Sequence, residues 1–124
     1  MSDYAKATNN HCLIKDVNRE QGYATLTLNR PDRLNSLGSE LLKSLVESLK
    51  SIASDDSIRA LIITAAGRAF CSGADTDEMA GGKSDGPHKL GPAGAEGLRR
   101  GFHLAQDVIL GIHEMEKPVI AAIN

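Results

Sequence analysis

The stretch that decides the fold runs from Ile58 to Met79 and reads IRALIITAAGRAFCSGADTDEM. It begins with a nearly continuous apolar run, Ile58 to Thr64, in which β-branched residues recur. A run of this kind predicts a strand buried on both faces, and such strands are usually parallel and covered by helices. The residues from Ala65 to Asp75 are mostly small and include Gly67 and Gly73. They predict a loop of defined conformation directly after the buried strand.

This loop leaves part of its main chain uncovered. Gly73 and Ala74 carry little or no side chain, so a ligand can approach the main-chain N–H groups without obstruction. Donors fixed in this way stabilise a negative charge that develops on an oxygen atom. Small residues would equally allow the loop to pack tightly against the strand. The stretch by itself leaves both interpretations open.

Upstream of the loop, the pattern predicts a hairpin and a helix. Two β-prone runs, His11 to Val17 and Tyr23 to Leu28, are separated by residues that include the Asn and Gly of a turn. From Ser39 to Ser54 apolar residues recur at helical spacing, which predicts an amphipathic helix. The hydroxyl of either Ser36 or Ser39 would cap the N-terminus of this helix.

Downstream of the loop, residues 80–94 hold five glycines and two prolines, a composition that predicts a mobile loop. A second amphipathic helix is predicted from Ala95 to Glu116, followed by a strand from Val119 to Ile123. The apolar stripe of that helix comprises Leu98, Phe102, Ala105, Val108, Ile109, Ile112 and Met115. Residues 1–10 are polar without a period and predict a flexible N-terminus. The order of elements predicts an α/β fold.

Composition excludes several classes of function. A length of 124 residues favours one core, and a formal net charge of -2 offers no broad basic face for nucleic acid. Cys12 and Cys71 form neither a disulfide framework nor a metal-binding spacing, so no metal site is predicted. No secretory signal and no apolar run of about 20 residues is visible, which favours a soluble, cytoplasmic protein without membrane contact.

Four motifs together resemble one family. LNRPDRLNSL (28–37), RALIIT (59–64), AFCSGADTDEM (69–79) and EKPVIAAIN (116–124) look like the crotonase family of enoyl-CoA hydratases and isomerases, in the right order and spacing. The resemblance covers residues 11–124, around half of the usual domain of that family. It implies the crotonase-like ββα spiral, of which this chain would be the incomplete, N-terminal half.

The resemblance also implies a site. The main-chain N–H of Ala74 would be the first donor of an oxyanion hole that holds the thioester carbonyl of an acyl-CoA. The path of the coenzyme A portion would be lined by Arg33, Leu34, Ser72, Gly73, Ala74, Asp75 and Thr76. Arg30, Arg33 or Arg68 could meet its phosphates, although for each arginine taken singly the residue type favours a solvated surface charge. Coenzyme A would enter as part of the substrate, with no prosthetic group.

The family's other chemical groups have no counterpart in this sequence. In the family, a Gly-rich turn and a helix follow the position of Asn124 and supply the second oxyanion donor and the acid/base carboxylates. Asp75 and Asp77 are therefore interpreted as charges at a helix terminus. His103 is predicted to be a partly buried structural residue, and Cys71 a packing thiol.

The resemblance implies one of two enzymes of fatty acid metabolism: an enoyl-CoA hydratase, which is a lyase, or an enoyl-CoA isomerase. Either enzyme would work through an oxyanion-stabilised enolate. The complete protein would be a homo-oligomer, a trimer or a hexamer. The alternative is a non-catalytic truncated fragment that lacks the second oxyanion donor and the acid/base carboxylates.

Overall fold

The predicted strands assemble into one four-stranded sheet in the computed structural model, which describes residues 12–79 and 92–124. The strand order is the order of the chain. The elements are β1 (Leu13–Asn18), β2 (Tyr23–Leu28), a 3-10 turn (Pro31–Arg33), α1 (Ser39–Ser54), β3 (Ala60–Ala65), α2 (Thr76–Met79), α3 (Pro92–His113) and β4 (Val119–Ala121). The predicted hairpin is confirmed, because β1 and β2 pair antiparallel.

The hairpin turn depends on a glycine. Gly22 has a φ of +79°, a left-handed conformation that glycine adopts at little steric cost. Its N–H donates to the carbonyl of Asn18 at 2.8 Å, and the Asn18 side chain accepts from the N–H of Gln21 at 2.9 Å. The turn therefore sets the register in which Asn18 lies opposite Tyr23.

Strand β3 lies parallel to both β2 and β4. Parallel pairing places the carboxyl ends of β2 and β3 at the same edge of the sheet, so the loops after Leu28 and Ala65 meet there. The prediction that β3 is buried on both faces is wrong in part. Leu61 and Ile63 are buried, whereas their neighbours are half-buried, because the core formed by the described residues covers one face of the sheet.

Helix α1 has the predicted bounds and supplies much of the core. Its buried apolar residues are Leu41, Leu42, Leu45, Leu49 and Ile52. The predicted serine cap is wrong: the N-cap residue is Gly38, and no side chain at that position bonds the helix. Instead, a carboxylate oxygen of Glu78 accepts from the Ser39 N–H at 2.7 Å and from the Ser39 hydroxyl at 2.6 Å. A negative charge is favourable at a helix N-terminus, and here a distant residue provides it.

The C-terminus of α1 is also completed from a distance. The helix has no basic residue in its last turn. The ammonium group of Lys117 donates to the carbonyls of Ile52 at 2.6 Å and of Asp55 at 2.7 Å. A cation at this end complements the helix dipole and satisfies carbonyls that have no partner within the helix.

Helix α3 begins and ends three residues earlier than predicted, since proline is well tolerated in the first turn and Pro92 starts the helix. Of the mobile loop predicted for 80–94, residues 92–94 belong to α3, and 80–91 lie outside the described residues, as do residues 1–10. The predicted apolar stripe is wrong at Phe102 and Ile109, which are 60% and 66% exposed. The helix instead packs through Leu104, Ala105, Val108 and Ile112, and Met115, just after its end, also contacts the core.

Two further features of the described ranges bear on the predictions. Strand β4 ends at Ala121, two residues before the predicted end. Neither α1 nor α3 offers the length of apolar sequence that a membrane crossing needs, within 12–79 and 92–124.

Candidate functional site

The loop between β3 and α2 lies at the edge of the sheet where β2 and β3 end. Its residue Ala74 is exposed and lines two clefts. The larger cleft, of about 880 Å³, lies between α1 and α3 and is lined on the α3 side by Phe102 and Leu104. The smaller cleft, of about 390 Å³, runs over the turn at Arg33. Ala74 therefore stands where a ligand could extend in two directions.

Main-chain bonds hold this loop against the loop that follows β2. The Ser72 N–H donates to the carbonyl of Leu34 at 3.0 Å. The Leu37 N–H donates to the carbonyl of Gly73 at 2.8 Å, in a parallel bridge between Leu37 and Ala74. The Ala74 N–H itself donates to no acceptor in the described part of the chain. The peptide groups around it are held, whereas this donor has no partner among the described residues.

An ion pair joins the same two loops. A guanidinium nitrogen of Arg30 lies 3.0 Å from a carboxylate oxygen of Asp75, and both side chains are largely buried, with 21% and 7% exposed. The other oxygen of Asp75 accepts from the N–H groups of Asp77 at 3.1 Å and Glu78 at 3.2 Å. The predicted helix-terminus role is thus confirmed for Asp75, which caps α2.

The pKa of Asp75 reflects these contacts. Burial is the largest single influence and raises the pKa. The hydrogen bond from Arg30, the N–H of Glu78, the charge of Arg30 and the N–H of Asp77 act in the opposite direction, and together they hold the pKa below its ordinary value. Asp75 is therefore an anion at neutral pH, with a structural task at the base of the site.

Asn35 ties the two loops together from inside. Its side chain is fully buried, and its carbonyl oxygen accepts from the Arg30 N–H at 2.7 Å. Its amide nitrogen donates to the carbonyls of Ala66 at 2.9 Å and Ala69 at 2.8 Å. The residue has a φ of +53°, a conformation that asparagine tolerates better than most residues.

The residues predicted to line the coenzyme A path come together. Six of the seven line the smaller cleft: Arg33, Leu34, Ser72, Ala74, Asp75 and Thr76. Gly73, the seventh, is next to them in the chain and is half-buried, with a φ of +103°. Their placement agrees with the prediction, and their role stays a prediction.

The side chains of Arg30, Arg33 and Arg68 differ in exposure and in their ion pairs. Arg30 is held by Asp75 and is no surface charge, so that interpretation is wrong for this residue. Arg33 pairs with Asp77 at 2.8 Å, but both side chains are more than half exposed, and such a pair contributes little. Arg68 is exposed. Of the three, Arg33 is exposed and lines both clefts, whereas Arg68 lines neither of them.

Other candidate side chains are placed as follows. The prediction that His103 is partly buried is wrong, since the residue is exposed on α3, on a side of the helix that the core contact does not use. Cys71 is free, half-buried and packed against the core, as predicted for a packing thiol. Within 12–79 and 92–124, no three His, Cys, Asp or Glu side chains come close enough to hold a metal ion.

Sequence reasoning missed the residues that hold the loop. Asn35 and Leu37 were not singled out, and no contact was predicted for Glu78, although all three contact the loop or the helix beside it. A usable signal was present for Asn35 alone. An asparagine soon after an Arg-Pro break is a frequent choice for a left-handed turn position.

Comparison with known proteins identifies a family. The family model described as enoyl-CoA hydratase/isomerase matches residues 18–124. A Mycobacterium leprae protein named "Probable enoyl-CoA hydratase echA12" is 44% identical over 101 residues, which are 82% of this chain and 33% of that protein. The 1,2-epoxyphenylacetyl-CoA isomerase of Escherichia coli K12 is 38% identical over 105 residues, 85% of this chain and 37% of that protein.

Solved structures agree with the sequence comparison. The crystal structure of an enoyl-CoA hydratase from Mycobacterium smegmatis superposes with a TM-score of 0.74 at 36% identity. The match covers 90% of this chain and 39% of that one. The expected crotonase-like fold is confirmed, and the chain spans between a third and two-fifths of the length of these relatives.

Proposed function

Because this chain belongs to the enoyl-CoA hydratase/isomerase family, we propose that the protein acts on an acyl-CoA thioester, as an enoyl-CoA hydratase or isomerase. One observation carries the proposal: Ala74 is exposed at the junction of two clefts, and its N–H has no acceptor in the described part of the chain. The thioester carbonyl oxygen would accept from this N–H. The acyl group would then extend into the larger cleft, and the coenzyme A portion into the smaller one.

The chemistry follows from where charge develops. When water adds to the β-carbon of a 2-enoyl thioester, or when a proton leaves the α-carbon of a 3-enoyl thioester, an electron pair moves onto the carbonyl oxygen. A main-chain donor already aimed at that oxygen stabilises the enolate more than the ground state, and this difference lowers the barrier. The family resemblance assigns the second donor and the acid/base carboxylates to residues that this sequence does not contain.

The test uses the protein at the length at which its source cell makes it, hereafter the native-length protein. Hydratase activity would remove the absorbance of the conjugated thioester in crotonyl-CoA. Isomerase activity would create that absorbance from a 3-enoyl-CoA. If neither substrate nor a longer-chain analogue of each turns over, the proposal is wrong.

A single-atom change tests Ala74 itself. Replacing alanine by lactic acid at this position converts the N–H into an ester oxygen and leaves the side chain unchanged. We expect kcat to fall by roughly 100- to 1,000-fold, as is typical when one oxyanion donor is lost. An unchanged kcat in an otherwise active protein would remove Ala74 from the site.

The second candidate is a non-catalytic truncated fragment. It is favoured by the share of the relatives that the chain spans, 33% and 37% in the two proteins above. Intact-mass measurement of the native-length protein separates the two candidates. A mass near 13.2 kDa, the mass of these 124 residues, together with an absence of turnover, would support the fragment.

The remaining parts of the proposal concern the complete protein. We propose a cytoplasmic enzyme of fatty acid metabolism, assembled as a trimer or hexamer, with coenzyme A as part of the substrate and no prosthetic group. Sedimentation of the native-length protein tests the assembly. A monomer at all accessible concentrations would contradict it.

A further inference from the structure

The N–H proposed as the donor to the thioester oxygen belongs to a peptide group whose carbonyl already accepts a hydrogen bond. The carbonyl of Gly73 and the N–H of Ala74 belong to one planar unit, and no peptide bond in the described residues is cis. In a trans peptide the two groups point in opposite directions. The bond from the Leu37 N–H to the Gly73 carbonyl, 2.8 Å long, therefore aims the Ala74 N–H away from Leu37.

The same arrangement occurs at the peptide group that donates to the Gly73 carbonyl. The carbonyl of Ser36 and the N–H of Leu37 also share a peptide group. A guanidinium nitrogen of Arg30 donates to that carbonyl at 2.7 Å, and the Gly38 N–H donates to it at 3.0 Å. The cation of Arg30 is thus joined to the Ala74 N–H through two peptide groups in series.

Arg30 is fixed for this task. Its second terminal nitrogen is bound by Asp75, its main-chain N–H by the buried side chain of Asn35, and only 21% of its side chain is exposed. Hydrogen bonds in such a chain polarise one another, and a charged donor at the start increases the effect.

We propose that Arg30 is a positioning residue for the oxyanion donor, an inference that rests on the proposed function. Arg30 acts through two hydrogen-bonded peptide groups in series, here called the peptide relay. The relay runs from the Arg30 guanidinium to the Ser36 carbonyl, and from the Leu37 N–H to the Gly73 carbonyl. It orients the Ala74 N–H and strengthens it as a donor. The substrate oxygen completes the chain.

Gly73 gives the relay its geometry. Its φ of +103° is disfavoured for any residue with a side chain, although a Cβ at this position would meet no atom within 4 Å. A Gly73→Ala substitution would therefore act through the backbone conformation, without a steric clash. It would turn the peptide away from the orientation that the Leu37 N–H requires.

The direct test replaces Leu37 by its α-hydroxy acid in the native-length protein. This removes the N–H and also makes the Ser36 carbonyl a weaker acceptor, so both hydrogen bonds of the relay are weakened while the side chain is unchanged. We expect kcat to fall roughly 10-fold with KM changed less than about threefold, since the lost interaction acts on the transition state. In infrared difference spectra, the thioester carbonyl of a bound, ¹³C-labelled substrate analogue should move towards its frequency in water. Arg30→Lys keeps the charge but cannot bond the Ser36 carbonyl and Asp75 with two nitrogens of one planar group. It should therefore lower kcat and shift the carbonyl frequency in the same direction as the Leu37 ester.

The matched control is the same ester substitution at Ile58. Its N–H also makes one main-chain bond, to the carbonyl of Asp55 at 3.0 Å, but at the opposite end of the sheet. We expect a similar loss of stability with kcat and carbonyl frequency unchanged. If the ester at position 37 behaves like the one at 58, the relay is wrong.

The outcomes separate the relay from the function on which it rests. If the unmodified protein turns over no acyl-CoA, the proposed function fails. If it is active and the ester at Ala74 abolishes activity while that at Leu37 leaves kcat unchanged, only the relay fails. If the Leu37 ester does not fold, Gly73→Ala decides: a lowered kcat with a shifted carbonyl frequency supports the relay, and an unchanged kcat overturns it.

Discussion

Asn35 is the residue on which the geometry of the site depends most. Its side chain is fully buried and makes three hydrogen bonds, of which the two to Ala66 and Ala69 join the loop after β2 to the loop after β3. When a buried partner is removed, each remaining group loses its bond and stays away from solvent. The Asn35 side chain therefore couples the two loops from inside, in addition to the main-chain bonds and the ion pair between Arg30 and Asp75.

We expect Asn35→Gly to lower the free energy of unfolding by about 3 kcal/mol, because two carbonyls and one N–H are left without partners. Glycine tolerates the φ of +53°, so the loss would come from the missing amide. Urea unfolding of the native-length protein measures it. Asn18→Ala, which removes one exposed side-chain bond, serves as the control and should cost no more than about 1 kcal/mol. Equal losses would show that Asn35 has no special role.

A second prediction at this scale concerns pH. Since the pKa of Asp75 is lowered by folding, its ion pair with Arg30 stabilises the protein fully above the ordinary aspartate pKa of about 3.9. That contribution is lost as the pH falls through the lowered value. Asp75→Asn should cost about 3 kcal/mol at pH 7, because it leaves a largely buried cation unpaired. The difference from the unmodified protein should shrink below about pH 4. A difference that is the same at pH 3 and pH 7 would contradict this.

Residue-level predictions from the sequence succeeded where the signal was local. Asp75 was interpreted correctly as a helix-terminus charge, because the N–H groups it binds lie two and three positions further along the chain. The contacts that Asn35 makes with Ala66 and Ala69, and Glu78 with Ser39, span 31 to 39 positions. Neither residue type indicates which distant partner it meets. The prediction that His103 is partly buried was wrong, because helical periodicity does not reveal which side of α3 faces the core.

At the scale of elements, α1 is completed at both ends by residues outside it. Glu78 covers its N-terminus, and Lys117 covers its last carbonyls. The amphipathic pattern gave the bounds of this helix correctly, because the apolar spacing starts and stops there. The caps were not predicted, since each arrives from another part of the chain.

We expect Lys117→Met to lower the free energy of unfolding by about 2 kcal/mol, because hydrogen bonds from a charged group contribute more than neutral ones. Methionine keeps most of the apolar stem, so packing changes little. The same substitution at Lys50, which is exposed on α1, is the matched control and should stay within about 0.5 kcal/mol. Thermal unfolding followed by circular dichroism compares the two variants. Similar stabilities would remove Lys117 as a cap.

At the scale of the whole molecule, apolar side chains remain exposed at one end of the sheet. Strand β4 pairs only with β3 among the described strands, and Ile120 and Ile123 are 54% and 73% exposed. An open strand edge with apolar side chains tends to pair with another chain. The order of the four strands was not predicted, because sequence patterns identify strands but not their neighbours.

We expect the 124-residue chain, expressed by itself, to associate as its concentration rises. Light scattering should show this, and replacing both Ile120 and Ile123 by threonine should reduce it several-fold. Ile109→Thr, an equally exposed isoleucine on α3, is the control and should have a smaller effect, because it lies on no strand edge. A stable monomer at high concentration would contradict the prediction.

The bond between Lys117 and the end of α1 also bears on how the protein is made. Lys117 follows its two carbonyl partners by 65 and 62 positions. At 5 to 20 residues per second, a ribosome needs roughly 3 to 13 seconds to add that much chain. During that interval the carbonyls of Ile52 and Asp55 have only water and their local partners, the N–H groups of Asp55 at 3.2 Å and of Ile58 at 3.0 Å. The nascent chain would therefore carry a helix end without its cation until Lys117 leaves the exit tunnel.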